Sequence, residues 1–437
     1  MKNDLLITNC ALLIDAAGET LRAPSFIAVA GGRIVQTGPM AHCPQPGDST
    51  VVDAAGQLAM PGLVNGHCHM PMTLFRGLAD DLDLATWLHD HIFPAEARLV
   101  TPEMVSWCSK LAAVEMLLSG TTTVADGYFY EDEVAQACVE VGLRCVAAQA
   151  VIDFPAPGAP DPSRNIEVAQ DFIERWQGHH PLITPALFAH SPYTCSNTTL
   201  RRAKELARAY QVPFFIHVAE TAGEQALIAE PLGPTPIIHL HGLGVLDRTT
   251  ICVHAVWAGE GDIDILAAQE VAVISCPQSN AKLASGRAPL VAMHERGIRL
   301  GLGTDGAASG NSLDLFREMG FAARLHKVQP SRATALPART LLSLATRSGA
   351  TALGLREGLG TLQTGAPADI ILVDRQRPHL QPWHDAHILV YSDCAAEVRT
   401  VIVNGQLVVR ERVLLTVDVG EVQAQVRRLA RDGGLMG

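Results

Sequence analysis

PGLVNGHCHM, residues 61–70, closes an apolar run with two histidines separated by one cysteine. Alternate side chains of a β-strand share a face, so on a strand His67 and His69 point to one side and Cys68 to the other. Alone, an H-x-H pair is more often two hydrogen-bonded core histidines than a ligand pair. The choice depends on what kind of sheet this strand belongs to and on what the other strands carry at the same end.

Working outward, LVNGHCH (63–69) is the first of eight short apolar runs that end in polar residues. The others are TTTVADG (121–127), RCVAAQAVID (144–153), LITPALFAH (182–190), VPFFIHVAE (212–220), TTICVHAVW (249–257), VAVISCPQSN (271–280) and IRLGLGTD (298–305). Between them lie stretches such as PEMVSWCSKLAAVEMLLSG and TTLRRAKELARAYQ. Their apolar residues recur at helical spacing, and they stop at Gly or before Pro. Eight strand-helix units with fully buried strands predict a (β/α)8 barrel, in which chemistry collects at the C-terminal strand ends. An open doubly wound sheet is the rival architecture.

The chain ends have a different texture. DLLITNCALLI, SFIAVAGGRIVQTG and VVDAAGQLAM near the start, and ADIILVDRQ and VRTVIVNGQLVVRERVLL near the finish, read as short β segments with Gly turns. Residues 1–58 and 366–437 are therefore expected to form one small flanking β-sandwich domain beside a barrel of residues 59–365. The segment after Gly420 reads as a short helix.

Composition narrows the function classes. The 437 residues are 48% hydrophobic with a net charge of −12 and no basic block, which argues against nucleic-acid or anionic-membrane partners. No segment reaches about 18 uninterrupted apolar residues, so a cytoplasmic protein is expected. Ten cysteines without a C-x-x-C suggest neither a disulfide framework nor a structural zinc knuckle. They read as small core residues, Cys68 and Cys276 included. A small, neutral or weakly charged ligand and a homo-oligomeric state complete these expectations.

The strand ends then decide the histidine question. The fourth run ends at His190, the fifth carries His217 and ends at Glu220, the sixth carries His254 and the eighth ends at Asp305. Structural histidines have no reason to gather at the catalytic end of a barrel. Imidazoles with one carboxylate suit zinc, with iron as second choice, and three His with one Asp leave a position for water, which marks a catalytic site. Such a metal supplies hydroxide at neutral pH. Glu220, three residues after His217, is placed to carry a proton to the substrate, and His254 reads as a neutral imidazole orienting the nucleophile.

These residues carry a resemblance. PGLVNGHCHMPMTLFRGLADDLDLATWLHDHIFPAE, FAHSPYTCS, HVAET, VHAVW, SCPQSNAKLASG and GTDGAAS recur in the order of the strand-end motifs of the amidohydrolase superfamily. Within it, the sequence resembles the cytosine/adenosine deaminase-like branch over nearly its whole length, most nearly the deaminases of 5′-methylthioadenosine and S-adenosylhomocysteine. The resemblance implies that His67, His69, His217 and Asp305 hold one divalent metal per subunit, that Glu220 is the proton shuttle, and that His254 contacts the attacking hydroxide. It also implies that Glu96 holds the ribose hydroxyls, that Trp87 lines the nucleoside pocket, and that His190 reaches the substrate. The implied reaction is hydrolytic deamination of adenine nucleosides to the inosine analogue. Two-metal relatives carry a bridging lysine at the end of the fourth strand, and LFAH has none.

Other readings have specific counterweights. A sister aminohydrolase acting on free guanine, cytosine or a triazine would keep the metal set and change the pocket. A nicotinamide enzyme would use GLGTDG (301–306), but a dinucleotide site wants that pattern after the first strand, and here it contains Asp305. A catalytically dead scaffold should have lost ligands, and none is missing. Without the family pattern, Trp87 is a core tryptophan and Glu96 a solvated glutamate. Asn280 and Ser309 fit pocket groups and turn residues equally and are left out of the site.

Overall fold

In the computed structural model, which describes residues 4–16, 20–328, 332–355 and 357–436, the N-terminal part forms five strands. These are β1 (Leu5–Leu13), β2 (Thr20–Ala30), β3 (Arg33–Pro39), β4 (Thr50–Asp53) and β5 (Leu58–Pro61). The turn from β2 to β3 needs Gly31 and Gly32, whose φ angles of 56° and 73° lie in the left-handed region. The chain then enters β6 (Leu63–Cys68), β7 (Thr121–Tyr128), β8 (Arg144–Val151), β9 (Ile183–Ala189), β10 (Phe214–Val218), β11 (Thr250–His254), β12 (Ala272–Ser275) and β13 (Arg299–Leu302). It returns beside the first strands as β14 (Ile370–Val373), β15 (Val398–Val403), β16 (Gln406–Arg410) and β17 (Val413–Leu414).

Strands β6 to β13 are the eight read from the sequence, and they pair in chain order, all parallel. A doubly wound sheet reverses its order at a switch point, and this one does not. Its two edges also meet. Asp305 N donates to His67 O (3.0 Å) and Thr304 N to Asn65 Oδ1 (3.0 Å), while Asn65 Nδ2 donates to Thr304 Oγ1 (2.7 Å). The seam is tight because residue 303 is glycine: a Cβ there would lie 2.8 Å from His67 N. Every residue of β6, β7 and β8 is buried, as expected of parallel strands with side chains inside and helices outside. The outer helices start where hydroxyls cap them, with Thr101 Oγ1 accepting from Met104 N and Ser196 Oγ from Thr199 N, each at 3.2 Å.

The two chain ends share a nine-stranded mixed sheet. β14 lies antiparallel to β5, which runs parallel to β1, so the late strands extend the early ones. The sheet encloses its own apolar cluster, which includes Ile7, Leu12, Ile27, Val29, Ile370 and Ile402. Arg144 at the start of β8 pairs with Asp369 just before β14 through two bonds of 2.8 and 2.9 Å, a buried tie between barrel and sheet. The helix Val419–Asp432 packs on the helix Pro102–Leu118. Among the described residues, no helix is long and apolar enough to cross a membrane.

Candidate active site

At the C-terminal end of the barrel, β6 delivers His67 and, one residue past its end, His69; β10 delivers His217, β11 ends on His254, and Asp305 follows β13. One ring nitrogen each of His67, His69 and His217 lies within 4.8 Å of the other two. His67 Nε2 and His217 Nε2 are 3.2 Å apart, and Asp305 Oδ1 sits 3.5 Å from His67 Nε2 and 3.4 Å from His69 Nε2. The backbone here is strained: Ala219, His254, Ala255 and Asp305 have φ of 52°, 72°, 46° and 60°. A left-handed residue other than glycine costs about 1–3 kcal/mol and persists only where its surroundings over-determine it, which is typical of functional sites.

Burial pushes His67 down to about 3 and His217 well below the ordinary imidazole value, so both rings are neutral at pH 7. His69 Nδ1 lies 2.6 Å from Gly127 O, so that nitrogen carries the proton and Nε2 keeps its lone pair. Asp305 is held as an anion: Oδ2 accepts from Ser279 Oγ (2.6 Å) and Ser309 Oγ (2.8 Å), and Oδ1 from Gly306 N (2.7 Å). Burial alone would raise its pKa, yet contact with the His67 ring and the neighbouring imidazoles, which attract it whenever one of them is protonated, places it well below the usual carboxylate range. Neutral imidazole nitrogens converging beside an ionised carboxylate, out of water, form a donor set that fits a divalent cation. Among the described residues this is the one histidine-rich cluster with such spacing.

A cavity of about 860 Å³ opens over these groups. Glu220 lines it, and burial first, then the charge of Asp305, pushes its carboxyl up to about 8. His254 Nε2 lies 3.8 Å from Glu220 Oε2, and His254 Nδ1 lies 2.9 Å from Asn280 Oδ1, which fixes the ring. Glu96, on the helix Phe93–Leu99, is buried and accepts a 2.5 Å bond from Tyr128 Oη. Desolvation raises Glu96 to about 7 even though the tyrosine bond opposes it. Trp87 opens a π-helical turn, Trp87–Ile92, and its buried Nε1 has no partner. His190 is fixed through Nδ1 by Thr194 Oγ1 (2.9 Å), and its ring stands edge-on to His217 at 5.2 Å.

A barrel with these donors at its strand ends matches the amidohydrolase family over residues 58–408. The chain belongs to the amidohydrolase family. It is 42% identical to a protein of Syntrophobacter fumaroxidans named 5-methylthioadenosine/S-adenosylhomocysteine deaminase, over 98% of this chain and 97% of that one. It is 41% identical to the 5′-deoxyadenosine deaminase of Methanothermobacter thermautotrophicus, over 94% of each chain. Among solved structures it is similar to a zinc-bound adenosine deaminase from Xanthomonas campestris, with a TM-score of 0.94, 35% identity and 99% of each chain covered.

In this amidohydrolase every residue singled out from the sequence lies at one end of the barrel. His69, Trp87, Glu96, His190, His217, Glu220, His254 and Asp305 line the cavity, and the His67 ring stands edge-on to His69 at 4.6 Å. The groups that hold them in place are less visible in sequence. Asn280 and Ser309, left out of the site, bond His254 and Asp305. Three further residues support the site: Tyr128 binds Glu96, Ser279 binds Asp305, and Glu224 binds the backbone at Glu220. SCPQSN could have pointed to Ser279 and Asn280, since it ends a barrel strand; Tyr128 has no such signal.

Proposed function

We propose that this amidohydrolase is a hydrolytic deaminase of adenine nucleosides, acting on 5′-methylthioadenosine and adenosine ahead of S-adenosylhomocysteine. The observation that carries this reading is a buried carboxylate, Glu96, in the same cavity as Glu220 and the histidine-aspartate cluster. A carboxylate there supplies acceptors for two vicinal ribose hydroxyls, which a free base does not have. The similarity to the two named deaminases supports the substrate class.

His67, His69, His217 and Asp305 would hold one divalent cation, zinc by preference and iron as the alternative. Bound there, the cation supplies Lewis acidity that brings ionisation of water into the neutral range. β9 runs into Ala189 and His190 with no lysine, which favours a single metal. Elemental analysis of the purified protein is expected to find about one zinc or iron per chain, the number one such donor set holds. Two metals per chain at full activity would overturn the single-metal assignment.

The protein groups divide the remaining chemistry. Trp87 and the apolar wall bind the nucleoside, Glu96 fixes its ribose, and His190 reaches the substrate from the fourth strand. Addition of water at C6 breaks the aromaticity of the ring, and protonation of N1 in the same step makes it accessible. Glu220 takes a proton from the water and delivers it to N1. His254, with its Nδ1 proton held by Asn280, offers Nε2 to the incoming oxygen, and the Asp305 anion faces the same oxygen. A second proton passes from that oxygen to the amino group, the C6–N bond breaks, and ammonia leaves an inosine analogue with its proton on N1.

The lining of the cavity also bears on the 5′ substituent. Leu84, Leu88, Ile92, Phe93, Phe154 and Pro155 line the cavity, and its described lining contains no lysine or arginine. A methylthio group is compatible with this wall, whereas the zwitterionic tail of S-adenosylhomocysteine finds no cation for its carboxylate. A spectrophotometric screen should give kcat/KM for S-adenosylhomocysteine at least about tenfold below that for 5′-methylthioadenosine, equivalent to ~1.4 kcal/mol. Guanine, cytosine or a triazine as the best substrate would move the protein to the sister aminohydrolases.

A further inference from the structure

Glu220 follows a strand that must stop abruptly for its side chain to face the cavity. β10 ends at Val218, and Ala219 adopts φ +52°, a conformation that alanine does not hold unaided. On one side the segment just after β11 supports this turn, because Ala255 N donates to Val218 O (3.1 Å) and Trp257 N to Ala219 O (2.8 Å). Those bonds occupy carbonyls and leave the N–H groups of Ala219 and Glu220 without strand partners.

Both are taken by one side chain. Glu224, 2% exposed at the start of the helix Glu224–Leu227, accepts from Ala219 N through Oε1 and from Glu220 N through Oε2, each at 2.8 Å. A carboxylate that receives two backbone N–H groups from consecutive residues fixes both position and orientation, because its two oxygens are rigidly related. The buried carboxylate thus sets the Glu220 Cα, from which the catalytic side chain is aimed at His254 and the cavity.

We propose that Glu224 is the positioning residue of Glu220: it holds the backbone turn that aims the proton carrier, and it acts on turnover through Glu220 alone. This rests on Glu220 carrying the proton in the proposed reaction. Glu224 does not line the cavity, so its effect should fall on kcat and leave substrate and metal binding unchanged. Glu224→Gln keeps the shape but turns one acceptor into a donor facing an N–H group. Glu224→Ala removes both bonds.

A double-mutant cycle on the metal-loaded enzyme tests it with adenosine as substrate. Glu224→Gln is expected to lower kcat roughly ten- to fiftyfold, below the ~hundredfold loss that follows a catalytic group misplaced by about 1 Å. Glu224→Ala should fall further, with KM in both within about threefold of wild type and metal content unchanged. In a Glu220→Gln background, adding Glu224→Gln should change kcat by less than about twofold, because a residue that acts through another has no effect once the other is gone. Additive losses in the presence of an impaired Glu220→Gln would overturn this inference alone. So would unchanged kcat in Glu224→Gln, or a loss explained by lost metal. Glu220→Gln turning over at the wild-type rate would overturn the proton-carrier reading and this inference with it.

Discussion

Glu220→Gln is expected to retain its metal and to lose roughly two to four orders of magnitude in turnover, the usual scale for a removed general acid/base. The amide has nearly the shape of the carboxylic acid, so cavity and backbone clamp should persist, but it cannot take a proton from water and release it to N1. Burial, and after it the charge of Asp305, raises the Glu220 carboxyl above the ordinary glutamate range, toward the neutral range in which a carboxyl can both take up and release a proton. His67→Ala should behave differently, because it removes a nitrogen from the cluster in which His67 and His217 stand 3.2 Å apart. It should lose metal together with activity. Metal content and kcat measured on both variants separate the two roles, and near wild-type turnover of adenosine by Glu220→Gln would remove the shuttle from the mechanism.

Adenosine should exceed free adenine by at least about a hundredfold in kcat/KM, because a site built to bond hydroxyls rejects an analogue that lacks them. Each bond from a ribose hydroxyl to the Glu96 carboxylate is of the charge-assisted kind, contributing about 1.5–3 kcal/mol. Glu96→Ala should narrow the gap by lowering the nucleoside rate and leave adenine nearly unchanged. A pH dependence follows. Desolvation raises Glu96 to about 7, so below that pH the empty site holds it protonated and poorer as a double acceptor. KM for adenosine should therefore rise as pH falls through about 7, with no matching rise for adenine. For stability the sign is the reverse of the usual carboxylate. The raised pKa means the folded state binds the proton more tightly, so this group favours folding below its unfolded value of about 4.3 and loses that contribution as pH rises through the folded value. An adenine-to-adenosine ratio unaffected by Glu96→Ala would remove the ribose contact.

What could be read from the sequence was what repeats or sits next to its neighbour in the chain. The eight runs are visible because strands buried on both faces hold apolar residues and small hydroxyls with few charges, even in TTTVADGY. Their ends were located to within one or two residues for TTTVADG, which extends to Tyr128, and RCVAAQAVID, which stops at Val151. H-x-H and the polar residues that terminate other strands were equally local. The flanking β segments and their union into one domain are legible in the sequence, but not which strands pair: β5 and β14, far apart in the chain, lie side by side in a single nine-stranded sheet. Supporting groups escaped for the same reason. Tyr128 reaches Glu96 across elements that no local pattern links, and Asn280, though it ends a barrel-strand run, shows no sign in sequence that its partner is His254. Trp87 lies in a π-helical turn whose spacing suits no helical template.

The seam between β6 and β13 has a consequence for the order in which the protein is made. His67 and His69 leave the ribosome long before Asp305, and the Asn65–Thr304 and His67–Asp305 bonds form only once the eighth strand has docked against the first. A nascent chain that has built seven strands therefore has histidines without their carboxylate, and an open edge. A cation held, as proposed, by donors from both sides of that edge would bind the closed barrel in preference to the open one and draw the last strand home. The same ion that serves the chemistry would then act as a clasp on the finished fold.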